Sequence, residues 1–440
     1  MKLPVYSNYK PSGIDWLGEV PSHWELKRLK IAAQLDDRKV EADEENPVPY
    51  IGMESIESGT GKLLPIDPDV VPSGVANRFS KKHTLFGKLR PYLAKACNPE
   101  FDGLCSTELL VLRSNDFDRR AFLYWILADG FIKLVDSSTY GSKMPRANWD
   151  FIGNCVLPVP PRPEQTAIAD FLDRETGRID TLVTKKRRLI ALLKEKRTAL
   201  ISRTVTRGLP EAAAREFGLE PHTRFKNSGI EWLGEVPETW DVWKLAHGFQ
   251  NTGSGTTPPS DGDAWYDGDI PWVTTSELRE SIIFDTAKKV SEAAVATFSA
   301  LKLFPEGSLV IAMYGATIGR LGILGVPATT NQACCVMHGE RALHVRFMFL
   351  WFQAFREQVI LLASGGGQPN ISQDKIRSIR VACPLLTEQI AIATYLDRET
   401  AKIDRLVEKV EAAILRLQEY RTALITAAVT GKIDVREAAA

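Results

Sequence analysis

The most regular hydrophobic pattern lies in two stretches, Thr166–Arg203 and Ile390–Ala427, which contain no proline and a single glycine, Gly177. Apolar residues recur there every seven positions. Leu172, Ile179, Leu193 and Leu200 form the row in the first stretch, interrupted by Lys186; Leu396, Ile403, Val410, Leu417 and Leu424 form it in the second. A companion row runs through Ile168, Glu175, Leu182, Leu189, Lys196 and Arg203, and through Ile392, Glu399, Leu406, Ala413, Tyr420 and Ala427. Five heptads with an apolar seam predict coiled-coil helices, each about 57 Å long at about 1.5 Å per residue. Rods of that length outrun a small domain, so the simplest burial is one rod against the other. Pro158, Pro160, Pro161, Pro163 and Pro384 place the start of each helix just beyond them.

Elsewhere the periods are mixed. Phe122–Leu134 and Val345–Leu362 read as amphipathic helices. Leu109–Leu112, Cys155–Val159, Leu309–Met313 and Cys334–Met337 read as short buried strands, with glycines and prolines between them. The pattern predicts an α/β mixture.

The chain also repeats itself. Tyr9–Lys30 (YKPSGIDWLGEVPSHWELKRLK) and Phe225–Ala246 (FKNSGIEWLGEVPETWDVWKLA) share 12 identities in 22 positions, 216 residues apart. Glu164–Gly208 and Glu388–Lys432 share 25 in 45, 224 residues apart, including EQ, LDRET, ID, RTALI and VT. The tryptophans of the leading segment (16 and 24; 232 and 240) are expected to pack the start of each copy. Between the matched segments lie middles that do not align. The reading is two copies of one plan: α/β (α+β) domains at 1–157 and 223–383, with helical segments at 158–222 and 384–440. The two long helices are expected to pair as an antiparallel coiled coil with a pseudo-two-fold, the simplest way to pair two copies of one module. The domains would then stand at opposite ends of a rigid spacer.

Charge changes this picture only locally. Lys+Arg and Asp+Glu are both 55, so any surface for a polyanion must be a patch. Arg78–Lys95 holds Arg78, Lys81, Lys82, Lys88, Arg90 and Lys95 with no acid, a candidate phosphate-contact stripe; the alternative is a solvated face paired with the acidic stretch 41–57. Lys185–Arg207 carries nine Lys/Arg against three in its repeat. A polar loop precedes each trailing segment: 140–148, with Lys143 and Arg146, and 364–372, with Gln368 and Asn370. Lys and Arg pair with guanine O6/N7, Gln and Asn with adenine N6/N7. Thr256 and Thr257 in the loop 250–259, then Arg320, Asn331 and Gln332, complete the candidate DNA contacts.

Catalytic patterns are missing. Gly59-Thr60-Gly61-Lys62 lacks the glycine spacing and Ser/Thr of a phosphate loop. The six His are scattered, and no metal site is expected. The six Cys show no C-x-x-C spacing and suit a reducing cytosol. Neither a signal peptide nor a membrane span is read, which gives a cytoplasmic expectation.

The EWLGEVPxxW leading segment, the P-x-x-EQ-x-x-IA-x-x-LD-x-E-T-x-x-ID and RTALI…VT trailing pattern, and the GGGQPNIS loop together resemble the specificity subunit of type I restriction–modification systems. The first copy departs from that loop with GSKMPRAN at 141–148. The resemblance implies that each middle is a target recognition domain and that the helices are the spacer. It implies a bipartite double-stranded DNA target, with no chemistry and no cofactor on this chain. Two methyltransferase (M) subunits carrying S-adenosylmethionine and restriction (R) subunits using ATP and Mg would be its partners. Because the middles differ, the two half-sites should differ. A stand-alone DNA-binding regulator or anti-restriction decoy is the alternative; a self-contained nuclease or a pure scaffold is further off.

Overall fold

The computed structural model describes residues 4–41, 48–67, 74–259, 263–364 and 369–436. The chain divides into two compact units, Met1–Arg187 with Glu411–Ala440, and Arg188–Val410.

In the first unit the leading segment opens as a hairpin, Tyr9–Pro11 against Glu19–Pro21. It continues as Glu25–Arg28, which pairs antiparallel with Val156–Val159, so the two ends of the domain are stitched together. The middle contains a four-stranded sheet in the order Ala33–Leu35, Leu109–Ser114, Thr84–Gly87, Ala96–Cys97, and a second sheet around Val75–Phe79 and Gly103–Cys105. All four residues of Thr84–Gly87 are buried. Helices Arg119–Ile126 and Asp129–Ser137 cover the first sheet. The single amphipathic helix expected over 122–134 is thus two. Gly130 lies in the first turn of the second: a Cβ there would lie 2.5 Å from the Trp16 ring, so the tryptophan packs where a side chain would stand.

The second unit repeats the scheme. Phe225–Asn227 pairs with Glu235–Pro237, and Asp241–Lys244 with Arg380–Cys383. Its main sheet runs Phe249–Gly253, Cys334–Glu340, Leu309–Ala312, Leu321–Leu324, Ser281–Ile283. The apolar stretch 345–362 is again broken, into Val345–Ala354 and Arg356–Leu361. The four short strands expected from the sequence are present in the two units, within a few residues of their expected ends.

The middles that do not align in sequence match in register. Leu109 faces Gly87 in the first unit and Cys334 faces Ala312 in the second; both positions shift by 225. Phe86 faces Ala96, and Ile311 faces Leu321, again shifted by 225. The divergent halves are one fold.

The long helices are Arg162–Arg207 and Leu386–Val429, longer than expected at each start. Pro163 sits in the first turn, where its missing N–H has no partner to lose. Within the first unit the helices run antiparallel: Asp180 pairs with Arg421, while Tyr6, bonded to Glu164, stacks under Arg436. Within the second, Arg197 pairs with Asp404 and Glu388 lies beside Gly208, also antiparallel. The ion pairs are one pair with its roles exchanged, since Asp180 and Asp404, like Arg197 and Arg421, are repeat equivalents.

The seam keeps the first heptad row and replaces the second. Leu172, Ile179, Leu193, Leu396, Ile403, Val410 and Leu424 are buried, with Leu200 and Leu417 partly so. Of the companion row, Ile168 and Ile392 are buried, but Leu182, Leu189 and Leu406 are 41–44% exposed. The inner companion row lies four residues after the first row: Thr176, Val183 and Thr204, then Thr400, Arg421 and Ala428, are buried. Burying Arg421 is tolerable because each nitrogen of its guanidinium has a partner, on Asp180 and on the carbonyls of Gly59 and Thr60. The Gly59–Lys62 turn therefore offers carbonyls to a cation, the opposite of a phosphate cradle.

Candidate nucleic-acid interface

The repeated EQ pair explains how each unit holds its variable part. Glu164 is buried and accepts from Trp24 Nε1 (2.9 Å) and Tyr6 Oη, with His23 Nε2 at 2.8 Å. Glu388 accepts from Trp240 Nε1 (3.0 Å), with His222 Nε2 at 2.6 Å. Gln165 donates to the carbonyls of Pro160 and Asp116 and accepts from the Asp118 N–H. Gln389 does the same with Pro384, Ala342 and His344. Asp118 and His344 each cap the helix that follows. The leading segment, the trailing helix and the helix over the sheet are thereby fixed by two adjacent side chains per unit, all buried except the partly buried Glu388.

Against this frame, the pre-helix loop of each unit is bonded to the end of a buried strand. In the first unit, Tyr140 and Arg146 exchange both backbone hydrogen bonds (3.1 and 3.0 Å). Arg90 N–H donates to Pro145 O (2.7 Å), and Ala147 N–H to Lys88 O (3.0 Å). In the second, Ser364 and Asn370 exchange theirs (2.9 and 3.0 Å). Gly315 donates to Pro369 O (3.0 Å) and Ile371 to Met313 O (2.9 Å). All four bonds correspond. The turn before the central strand joins them, with Lys88 N–H on Glu108 O (3.0 Å) and Met313 N–H on Ala333 O (2.8 Å). So Lys88, Arg90, Lys143 and Arg146, drawn from two distant stretches, come together.

Arg90 is held at φ +49° and Ala94 at +46°, where the second unit has Gly315 (+64°) and Gly319 (+75°). Such a conformation strains any residue with a Cβ. Beside this site lies a cleft of about 290 Å³ lined by Asp36, Lys39, Asn77, Lys88, Arg146 and Asn148, among others. Arg146 makes a two-point ion pair with Glu108: Nε to Oε2 and Nη2 to Oε1, both 3.0 Å. Glu108 was not singled out from the sequence, since its partner lies 38 residues away. Burial lowers the His83 pKa, against the pull of Asp36 at 3.4 Å.

The basic stretch 78–95 is not one continuous stripe. Arg78, Lys81 and Lys82 are exposed at one end of the buried strand Thr84–Gly87, and Lys88 and Arg90 lie at the other. Lys95 is half-buried and donates to Met53 O (2.5 Å), a bond that pins the chain. In the second unit Thr257 Oγ1 donates to Gln332 Oε1 (2.6 Å), and the Thr256 carbonyl accepts from Trp272 Nε1 (3.2 Å). Asn331 accepts from the Ala333 N–H (3.1 Å), and half-buried Arg320 stands between the Gly315–Thr317 turn and the strand Leu321–Leu324. Asn370 is exposed at the loop, and Gln368 lies outside the described residues.

All six cysteines are free and buried, and burial pushes the thiols up, to about 12 for Cys97, Cys105, Cys334 and Cys335. Among the described residues, no cluster of three or more His, Cys, Asp or Glu is placed to hold a metal ion. No helix there is long and apolar enough to cross a membrane.

Two α/β units of one fold, with matched frames and dissimilar loop chemistry, define a two-copy recognition protein. The chain belongs to the family of the type I restriction modification DNA specificity domain, whose model matches twice, at residues 22–191 and 237–416. It is similar to the putative type I restriction enzyme MjaX specificity subunit of Methanocaldococcus jannaschii, 23% identical over 98% of this chain and 97% of that protein. It also resembles the MjaIX specificity subunit of the same organism and the EcoR124I/EcoR124II specificity subunit of Escherichia coli, 28% and 24% identical. Those two alignments cover 40% and 45% of this chain, and the chain spans under half of either relative, 40% and 46%. A chain from a structural study of assembly and conformational transition in the type I R-M system shares the fold, with a TM-score of 0.67 at 19% identity over 93% of this chain and 98% of that one.

Proposed function

We propose that the chain is the sequence-reading, non-catalytic subunit of a type I restriction–modification complex. Residues 1–157 and 223–383 act as target recognition domains on double-stranded DNA, and 158–222 and 384–440 are the helical spacer regions. The complex also contains two M subunits and R subunits. S-adenosylmethionine belongs to the former, ATP and Mg to the latter, and this chain needs no cofactor. The setting is the cytoplasm. The cations Arg78, Lys81, Lys82, Lys88, Arg90 and Lys143 meet phosphates, while Arg146, Thr256, Thr257, Arg320, Asn331, Gln332, Gln368 and Asn370 are assigned to base contacts. Lys95 keeps its structural bond and contributes charge only.

One observation carries the reading. The same loop seat, with the same backbone bonds, is built twice and furnished with different side chains. A shared seat with variable furnishing is what two half-site readers need, and different readers imply an asymmetric site.

The test is co-expression with the M subunits of the same system, followed by mapping methylated adenines across the host genome. One asymmetric two-part motif with a fixed gap is the expected result. A palindromic motif contradicts the asymmetry. Sequence-specific DNA binding by the chain with no M subunit retained points instead to a stand-alone regulator or decoy.

A further inference from the structure

One position of the loop seat carries a base-pairing side chain in both units on matching backbone bonds. Arg146 and Asn370 occupy it: each exchanges two backbone bonds across its loop (with Tyr140 and with Ser364) and lies against the strand extension (Leu89 and Tyr314). The neighbour across the turn is Glu108 in the first unit and Ala333 in the second, fixed as equivalents by their bonds to Lys88 and Met313. We propose that Arg146, oriented by Glu108, reads a guanine in the half-site of the first unit, and that Asn370 at the matching position reads an adenine in the other. The proposal rests on the DNA-reading function above and assigns its chemistry residue by residue.

The geometry of the ion pair supports it. A guanidinium has five N–H donors in a fixed fork. Glu108 takes the edge made by Nε and Nη2, with both bonds at 3.0 Å. The edge made by Nη1 and the second Nη2 hydrogen stays open, and two parallel donors are what guanine O6 and N7 accept. The Arg146 side chain remains 40% exposed, so that edge is reachable. Holding the arginine in advance reduces the rotamer freedom lost on binding. The charge balance points the same way. A carboxylate beside DNA is repelled by phosphate, whereas the neutralised pair adds little to phosphate affinity and leaves base discrimination as its contribution. Asn370 has no such support, because Ala333 carries no acceptor on its side chain. An amide needs none, and its donor and acceptor match adenine N6 and N7. Glu108 is therefore a positioning residue and Arg146 the contact.

The experiment uses the full chain assembled with its M subunits and a pool of duplexes with both half-sites randomised, selected for binding at fixed salt and sequenced. Wild type should enrich a guanine at one position of one half-site, preferred on the order of tenfold. Arg146→Asn with Glu108→Ala copies the chemistry of the second unit, and that position alone should change to adenine while the other half-site stays the same. Glu108→Gln should lower the guanine preference and raise affinity for non-specific DNA, because it frees a positive charge. A merely structural role for the pair would reduce affinity and leave base preference unmoved. The unchanged half-site controls for folding of the variants. An unaltered motif in the double variant overturns the inference and leaves the DNA-reading function standing. No enriched motif from wild type overturns that function itself.

Discussion

Ala94 sits at φ +46° in a turn whose counterpart uses Gly319 at +75°. A Cβ in that region costs about 1–2 kcal/mol, and glycine returns part of it through greater freedom of the unfolded chain. Ala94→Gly should therefore raise stability by about 0.5–1 kcal/mol, read as a higher urea midpoint with an unchanged slope. Arg90 bears the same strain, and there the site keeps the cation. At the opposite extreme, Glu164 serves two buried donors, Trp24 Nε1 and Tyr6 Oη, from residues 140 and 158 positions earlier. Its importance was legible in the sequence as half of a repeated EQ. Its partners were not, since nothing in a linear pattern links residues that far apart. Glu164→Ala leaves both donors stranded and should cost about 3 kcal/mol by the same measurement.

The long helices show how far periodicity reaches and where it stops. A seven-residue repeat identifies one row of a seam without ambiguity, and Leu172, Ile179, Leu193, Leu396, Ile403 and Val410 are buried. The second row can lie three or four residues further on, and leucines at 182, 189 and 406 favoured the wrong choice. The inner row is polar where it is best paired: Thr176 and Thr400 hydroxyls return to carbonyls of their own helix, and Arg421 finds Asp180 and two carbonyls. Hydrophobicity alone cannot find such positions, because the side chains are satisfied by backbone carbonyls and an ion pair, which an apolar pattern does not record. The two rows predict opposite outcomes. Leu396→Lys puts an unpaired charge at a fully buried site and should cost about 3–5 kcal/mol of stability. Leu406→Lys, at 44% exposure, should stay within about 0.5 kcal/mol in the isolated chain. Equal losses in chemical denaturation would show that the seam phase is wrong.

At the scale of the whole molecule, the common fold was hidden because the two constraints on the middles differ. Core positions demand only apolar side chains of suitable size: Leu85, Leu109 and Leu110 become Val310, Cys334 and Cys335, all buried, with identity lost. Loop positions carry no common packing demand at all. What persists is the backbone register, at a shift of 225 in the sheet and 224 in the trailing segment. That persistence makes the readers exchangeable. Ala33 and Phe249 begin them in equivalent places, each following the strand that pairs with the trailing one. Asn148 and Ser372 end them alike, each capping the next short helix by accepting from Phe151 N–H or Lys375 N–H. A chain in which residues 33–148 are replaced by residues 249–372 keeps Glu164, Gln165 and the stitched strands of the first frame. It should fold and carry one reader twice. Identical readers on the two-fold spacer that the sequence repeat predicts should recognise a palindrome. Methylation mapping with the M subunits should then return a symmetric motif, both halves matching the half-site that wild type reads through its second unit. An asymmetric motif from this chain would mean that the frame, and not the furnished loop seat, selects the bases.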